Sequence, residues 1–158
     1  MKNEMKKVLV LIMVMVMAFL LCACGGGGSP ATIVDNDGNT VQMTAEELIA
    51  IYDENEANYE KKYQGAEATV EGTVEKVDAS LITFGSSNKQ VYKIYLQEGW
   101  EIIVLQEFHD EVVNLSKGDK IKITSTLQLC SMNRVGMQDI GESGYPSRWH
   151  DDTTITIQ

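Results

Sequence analysis

The chain has 158 residues, with 13 lysine and arginine residues against 23 aspartate and glutamate residues, and a formal net charge of −10. This length suits one domain with a single hydrophobic core. Because affinity for nucleic acid comes largely from basic side chains that neutralise phosphates, the acidic balance argues against a nucleic-acid partner.

The N-terminus combines a basic start with a short apolar run. Three lysines precede an apolar stretch of about 14 residues from Val8 to Leu21. A helix needs roughly 20 apolar residues to cross the hydrocarbon core of a membrane. The pattern therefore predicts a secretory signal peptide over residues 1–23 rather than a transmembrane anchor.

The segment Leu21-Cys22-Ala23-Cys24 resembles the lipobox of bacterial lipoproteins. The resemblance implies cleavage after Ala23 and a diacylglycerol thioether on Cys24, often with a third, palmitate-type acyl chain on its amine. Two or more chains anchor a protein far better than one. We therefore expect a lipoprotein on the extracytoplasmic face of the cell membrane; the alternative is ordinary secretory cleavage that leaves an unmodified cysteine.

Residues 24–43 are expected to form a lipidated, flexible tether. After processing, the chain would carry 10 basic and 22 acidic residues, a net charge of about −12. Only Cys24 and Cys130 would remain, so no internal disulfide is expected. Cys130 is interpreted as a small buried hydrophobe, and a reactive or pairing role is the alternative.

Two β-prone pieces flank Asp35-Asn36-Asp37-Gly38 and can form a short hairpin in the tether. The aspartates also suggest a calcium loop. When Gly38 is aligned with the glycine of an EF-hand, Ile33 and Thr44 fall at ligand positions that need carboxylates. The segment is therefore predicted to be a turn.

Thr44 and Glu47 form a capping box, which predicts a helix that continues to about Gln64 and ends at Gly65. Residues at three- and four-residue spacing predict one buried face, made of Leu48, Ile51, Tyr52, Asn55, Tyr59 and Tyr63. Asn55 interrupts this apolar face. We expect its amide to bind a neighbouring strand or loop, with a ligand contact as the alternative.

Beyond Gly65 the period changes to two, which predicts strands. Val77 is out of step, which indicates a bulge near Lys76, and Gly72 indicates strong curvature or a close backbone approach. Trp100–Leu105 is apolar on both faces and is predicted to be central. The other predicted strands are Ala68–Val77, Leu81–Phe84, Val91–Leu96, Ile121–Leu129 and Thr153–Gln158.

Two connections between these strands are long. Phe108–Leu115 is predicted to be a short helix, with Phe108, Val112 and Leu115 facing inward and His109 at the surface. Residues 131–152 are predicted to be a loop, and loops of this length are usually functional or disordered.

The predicted fold is mainly β with some helix (α+β): a five-stranded OB-fold Greek-key barrel over residues 44–158, preceded by an amphipathic helix. The sequence also resembles the tRNA-anticodon-domain-like family of OB-fold lipoproteins. The name of that family records similarity of fold and implies no nucleic-acid activity. By this resemblance Thr153–Gln158 is the closing strand of the barrel, and the cysteine usual in that strand of the family is absent from it. The matching residues are Leu48, Tyr52, Asn55, Tyr63, Gly65, Val70, Gly72, Val74, Val77 and Lys117–Ile121.

No motif with the spacing of a catalytic site occurs in the sequence, so we expect no enzymatic activity and no cofactor. His150, Asp151 and Asp152 suggest a metal-dependent sensor or enzyme on the 131–152 loop. Adjacent side chains rarely converge on one ion, so a metal site is not expected.

By analogy with other OB-folds, a binding surface is expected on the middle strands and the long loop. The candidate residues are Lys93, Tyr95, Glu101, Arg134, Tyr145, Arg148 and Trp149. Alternatively, the loop aromatics only pin the loop to the barrel. The predicted function is a non-enzymatic, membrane-anchored module that binds a protein, peptide or glycan. Binding of single-stranded nucleic acid is the alternative, which the net charge disfavours.

Overall fold

The computed structural model describes residues 28–84, 87–131, 134–138 and 151–158. The predicted signal peptide and Cys24 lie outside these residues. The elements in chain order are β1 (Ala31–Val34), β2 (Thr40–Met43), α1 (Ala45–Glu54), α2 (Glu56–Lys62), β3 (Glu67–Phe84), β4 (Ser87–Leu96), β5 (Trp100–Leu105), a 3-10 helix (Asp110–Asn114), β6 (Lys120–Ser131), β7 (Arg134–Gln138) and β8 (Thr154–Ile157).

Five of these strands close into a ring. The strands follow the order β2-β1-β3-β4-β5-β7-β6-β8, and a further pairing joins β3 to β6. The ring is therefore β3-β4-β5-β7-β6, with one parallel pairing between β5 and β7. This mainly β arrangement with few helices agrees with the predicted OB-like barrel.

The prediction of five strands was wrong, because the described chain contains eight. The fifth strand of the ring is β7, which lies inside the segment 131–152 that was predicted to be a loop. Thr154–Ile157 does not close the barrel; among the described strands it pairs with the outer edge of β6 alone. The remaining two strands, β1 and β2, form the predicted hairpin, and β1 extends the sheet by pairing with β3.

The hairpin turn is held by a buried aspartate, as expected for a turn rather than a metal loop. Asp35 Oδ1 accepts hydrogen bonds from the backbone N–H of Asn39 at 2.8 Å and of Asp37 at 3.1 Å. The Asn39 bond, with further help from its side chain and from Asp37 and Lys62, outweighs the effect of burial and lowers the pKa of Asp35. The turn is thus preorganised by an ionised carboxylate.

The predicted capping box is present: Thr44 Oγ1 accepts from the N–H of Glu47, and the Glu47 carboxylate accepts from the N–H of Thr44. The prediction of one long helix was wrong, because the structure has two short helices here. Asn55 ends α1 and begins α2, since its side chain accepts a hydrogen bond from the N–H of Asn58. Asparagine is among the best N-cap residues, and this local bond overrides the continuous apolar period.

The predicted bulge in β3 is confirmed. Val74 pairs with Leu96 and Lys76 pairs with Tyr95, so Glu75 is an extra residue. Before the bulge, even-numbered residues face the core, and after it Val77 does. Gly72 also makes the predicted close approach, because a Cβ atom there would lie 2.6 Å from Oε2 of Glu98.

The central strand β5 is apolar on both faces because it contributes to two cores. Trp100, Ile102 and Val104 are fully buried in the main core. Leu105, on the opposite face, packs with Val91, Ile82 and Ile103 in a second, smaller cluster. This smaller cluster lies on the outer face of the barrel, opposite the main core.

The connector after β5 differs from the prediction. It is a 3-10 helix, and Phe108 is 49% exposed rather than inward-facing. His109 was predicted at the surface but is 5% exposed. Val112 and Leu115 are buried as predicted. Among the described residues, no helix has the length and apolar character needed to span a membrane.

Candidate functional site

Polar side chains of β3, β4, β5 and β7 form one continuous outer surface beside the turn between β4 and β5. Tyr95 lies opposite Glu101 and Lys76 in the strand register, and Lys93 lies opposite Asp78. Because side chains directly opposite each other share a sheet face, these residues lie on one side of the barrel. We call this the Tyr95 surface; it comprises Glu75, Lys76, Asp78, Lys93, Tyr95, Glu101 and Arg134.

The ring of Tyr95 contacts two cations. Lys76 Nζ lies 4.2 Å from the ring centroid and Arg134 Cζ lies 5.2 Å from it. Both distances fall within the range of cation–π attraction, which contributes roughly 0.5–1 kcal/mol at exposed sites. The half-buried tyrosine is therefore held in place by its neighbours.

Each basic group of the Tyr95 surface faces a carboxylate. The surface carries three basic and three acidic groups, so its net charge is zero. The hydrogen bond to Asp78 raises the pKa of Lys76, although desolvation opposes this effect. The ion pairs are Lys76 Nζ–Asp78 Oδ2 at 2.7 Å, Lys93 Nζ–Glu101 Oε1 at 3.7 Å and Arg134 Nη2–Glu75 Oε2 at 2.5 Å.

Arg134 also fixes the turn between β4 and β5. Its Nη1 donates to the carbonyl oxygen of Leu96 at 3.0 Å and to that of Trp100 at 3.4 Å. These carbonyls lie on either side of the turn. The guanidinium thus joins β7 to the β4–β5 hairpin while it contacts Tyr95.

The structure brings together four of the seven predicted binding residues: Lys93, Tyr95, Glu101 and Arg134. The other three, Tyr145, Arg148 and Trp149, lie outside the described residues. Sequence reasoning missed Glu75, Lys76 and Asp78. The sequence feature that could have indicated them is the bulge near Lys76. It shifts the inward–outward alternation of β3 side chains by one residue and places Lys76 opposite Tyr95.

A second cluster of ionisable groups, made of His109, Glu111 and Asp151, lies between the 3-10 helix and the start of β8. Both oxygens of Asp151 accept backbone hydrogen bonds at 2.9 Å, Oδ2 from the N–H of Leu105 and Oδ1 from the N–H of Thr153. His109 Nε2 lies 3.4 Å from Asp151 Oδ2, and His109 Nδ1 lies 2.8 Å from Glu111 Oε1. The imidazole therefore lies between two carboxylates.

This arrangement is suited to holding the chain together rather than to proton transfer. Burial alone would raise the pKa of Asp151, but the bonds from His109, Leu105 and Thr153 outweigh it and lower that pKa. The pKa of His109 is raised by Asp151 and then by Glu111, against the effect of burial. His109 is 5% exposed and each ring nitrogen faces a carboxylate, so the imidazole has little access to an outside proton donor or acceptor.

The metal site considered for His150, Asp151 and Asp152 would include His150, which lies outside the described residues. Within the part of the chain that the structure describes, no three histidine, cysteine, aspartate or glutamate side chains are grouped to hold an ion. Asp151 is instead fully engaged by two backbone N–H groups and His109.

The His109 cluster predicts a pH-dependent contribution to stability. Because the folded pKa of His109 is above its ordinary value of 6.5, the contribution is full below that pH and is lost as pH rises through the folded pKa. The lowered pKa of Asp151 keeps its own contribution present above 3.8. Urea unfolding of wild type and His109→Gln should therefore show their largest difference in free energy in mildly acidic solution.

That difference should shrink in alkaline solution, where wild-type His109 is neutral. Gln42→Ala, an exposed change on β2, serves as the control, and its small effect should not vary with pH. A difference between wild type and His109→Gln that stays constant from mildly acidic to alkaline pH would contradict the assignment.

The sequence model of the family described as tRNA_anti-like matches residues 1–139. The chain belongs to the tRNA_anti-like family. For this tRNA_anti-like chain the match covers all five strands of the ring and both helices. It confirms the family resemblance that was predicted from the helix and first barrel strand.

Among solved structures, the solution NMR structure of a replication factor A related protein from Methanobacterium thermoautotrophicum is similar to this tRNA_anti-like chain. The two are 16% identical, with a TM-score of 0.44, and the match covers 62% of this chain and 86% of that chain. No curated protein matches the chain.

Proposed function

We propose that this protein is a lipid-anchored, extracytoplasmic OB-fold module that binds a protein partner through the Tyr95 surface and catalyses no reaction. A peptide or a glycan could bind to the same side chains, and the experiment below distinguishes these ligands from a protein partner. The lipobox-like segment that ends at Cys24 supports the anchor. The acyl chains would attach through the mature N-terminus, just before the hairpin.

The observation that carries the proposal is the charge balance of the Tyr95 surface. Each of its three cations is paired with a carboxylate, at 2.5–3.7 Å. A polar, neutral surface with a fixed aromatic ring and a fixed arginine matches the side chains that dominate protein interfaces. A polyphosphate chain instead requires unpaired cations.

Single-stranded nucleic acid is the second candidate, because one feature favours it. Tyr95 with Lys76 and Arg134 nearby has the composition of a site on which a base stacks between cationic groups. Binding would have to break the pairs of both cations with Asp78 and Glu75. Retention of labelled single-stranded oligonucleotides by the purified protein at low salt, abolished by Tyr95→Ala, would favour this candidate over the protein partner.

Tyr95→Ala should abolish capture of the partner. Crosslinking of the tagged protein on intact cells, followed by mass spectrometry, should recover a defined protein with wild type and with Gln42→Ala. Loss of a central aromatic contact costs about 2 kcal/mol, roughly a 30-fold loss of affinity. Gln42 is exposed on β2, away from the Tyr95 surface in the strand order, and is the matched control.

Two outcomes would contradict the proposal. A partner captured equally by Tyr95→Ala would move the binding site elsewhere on the barrel. A wild-type protein that captures no protein, but is retained on immobilised glycan through Tyr95, would replace the protein partner with a carbohydrate.

A further inference from the structure

Gly28, the first described residue of the tether, lies directly on the turn between β4 and β5. A Cβ atom built on Gly28 would overlap Cβ of Glu98 and would lie 2.7 Å from its Cα. Only glycine permits so close an approach without movement of one backbone. The tether therefore leaves the barrel at a defined place.

Glu98 is itself held in position, so Gly28 contacts a fixed part of the barrel. The two carboxylate oxygens of Glu98 accept from the N–H of Thr73 at 3.0 and 3.1 Å. Gly72 leaves room for this carboxylate, since a Cβ atom there would lie 2.6 Å from Oε2. Glu98 thus fits between two glycines, one from β3 and one from the tether.

Two exposed lysines occupy the same end of the barrel. The turn that contains Lys117 is bonded to β3, because the N–H of Gly118 donates to the Val74 carbonyl at 2.8 Å. Lys120 lies opposite Thr73 and lines a cleft together with Ser29 of the tether and Glu98. Among the described side chains, no carboxylate forms an ion pair with Lys117 or Lys120.

From these contacts we infer that the end of the barrel formed by the β4–β5 turn, Lys117 and Lys120 faces the membrane and contacts anionic lipid headgroups. The inference rests on the proposed lipid anchor at Cys24. Gly28 is four positions after Cys24, and four fully extended residue steps span at most about 14 Å. Each lysine near an anionic bilayer contributes about 1 kcal/mol of attraction.

Of the described carboxylates at this end, Glu71 is paired with a cation, and Glu98 and Asp119 are bonded to backbone N–H groups. Glu98 is occupied by the N–H of Thr73, and Glu71 forms an ion pair with Lys122 at 3.1 Å. Lys117 and Lys120 are exposed beside the tether, whereas Glu98 and Asp119 are half-buried.

The orientation also determines where the Tyr95 surface meets its partner. Arg134 bonds to the carbonyls of Leu96 and Trp100, on the two sides of the membrane-facing turn. The β3–β4 hairpin extends in the opposite direction from this turn. Gln90, which pairs with Leu81 in the hairpin, lies six strand residues from Leu96, a distance of about 20 Å. The partner is thus met next to the bilayer.

Energy transfer from the anchored protein to labelled headgroups tests this orientation. A fluorophore is placed on a single introduced cysteine, Gln97→Cys in the turn or Leu81→Cys on the hairpin, in the full lipidated chain with Cys130→Ala. The vesicles contain phosphatidylcholine and phosphatidylglycerol with an acceptor on the headgroup. Transfer should be several-fold stronger from position 97, and mass spectrometry of the same protein reports whether Cys24 is acylated.

Matched variants separate the causes of this difference. Gly28→Ala, which displaces the tether from Glu98, should reduce the difference between the two positions, whereas Ser29→Ala at an exposed neighbour should not. Replacing both Lys117 and Lys120 with glutamine, or omitting phosphatidylglycerol, should reduce it as well.

Equal transfer from both positions on an acylated protein would overturn the orientation and leave the anchor intact. An unmodified Cys24 would overturn the anchor and the orientation together. If the difference in energy transfer between the two positions survives Gly28→Ala, the contact with Glu98 does not orient the barrel. If that difference survives the omission of phosphatidylglycerol, the inferred contact with anionic headgroups is wrong.

Discussion

Replacing Asp151 with alanine should lower the free energy of unfolding by about 3–5 kcal/mol, the range expected when one partner of a buried charge pair is removed. The change leaves the N–H groups of Leu105 and Thr153 without their acceptor and leaves protonated His109 without its buried counter-ion. It also releases the chain where it enters β8. Urea unfolding followed by circular dichroism measures the loss.

The matched control is Asp78→Ala, which removes an exposed carboxylate from a surface ion pair with Lys76. Such pairs contribute at most about 1 kcal/mol. In the double variant Asp151→Ala with His109→Gln, the loss should be smaller than the sum of the single losses, because the two residues share one interaction. If Asp151→Ala costs no more than Asp78→Ala, the buried cluster does not stabilise the fold.

Replacing Tyr59 with alanine should cost about 3–5 kcal/mol, the range for removing a buried aromatic ring. Tyr59 is fully buried; its ring meets Tyr52 edge-on at a centroid distance of 5.5 Å and lies 6.0 Å from Tyr63. Because α2 has only seven residues, it is too short to be stable without such packing. Hydrogen exchange should show that the amides of α2 lose protection first.

Tyr59→Phe separates the hydroxyl from the ring. The hydroxyl donates to the carbonyl of Gln128 at 2.6 Å, and the loss of one such bond costs about 1 kcal/mol. Tyr59→Phe should therefore be much milder than Tyr59→Ala. Equal costs for the two variants would mean that α2 is held by the hydroxyl and not by ring packing.

Local patterns correctly predicted a helix start, a turn and a bulge. The capping box at Thr44, the turn at Asp35 and the bulge near Lys76 are each decided by a few adjacent residues, and all three are present. The break at Asn55 was missed because an N-cap bond competes there with an apolar period that runs through both helices. Periodicity reports which face is buried, and it does not report that a helix is interrupted.

Strand β7 was missed for a different reason. Its five residues, with Val135 and Met137 facing inward around Gly136, alternate too briefly to stand out in a glycine-containing segment. Its place in the ring depends on a parallel pairing with β5, more than 30 residues earlier in the chain. Without β7, the C-terminal strand was the remaining candidate to close the barrel, and this led to the wrong assignment.

The candidate site was predicted only where strand alternation defines it. Tyr95, Lys93 and Glu101 follow from the registers of β4 and β5. Lys76 and Glu75 depend on the position of the bulge to a single residue. The burial of His109 depends on Asp151, which is distant in sequence, and no local pattern around either residue reports their contact.

The parallel pairing of β5 and β7 also sets an order of assembly. A chain that emerges N-terminus first can form the antiparallel β3-β4-β5 meander as soon as β5 is available, but the apolar edge of β5 stays open until β7 follows. Until then, the edge of Trp100–Leu105 can pair with another chain, so the newly made protein is most prone to aggregate just before its barrel closes.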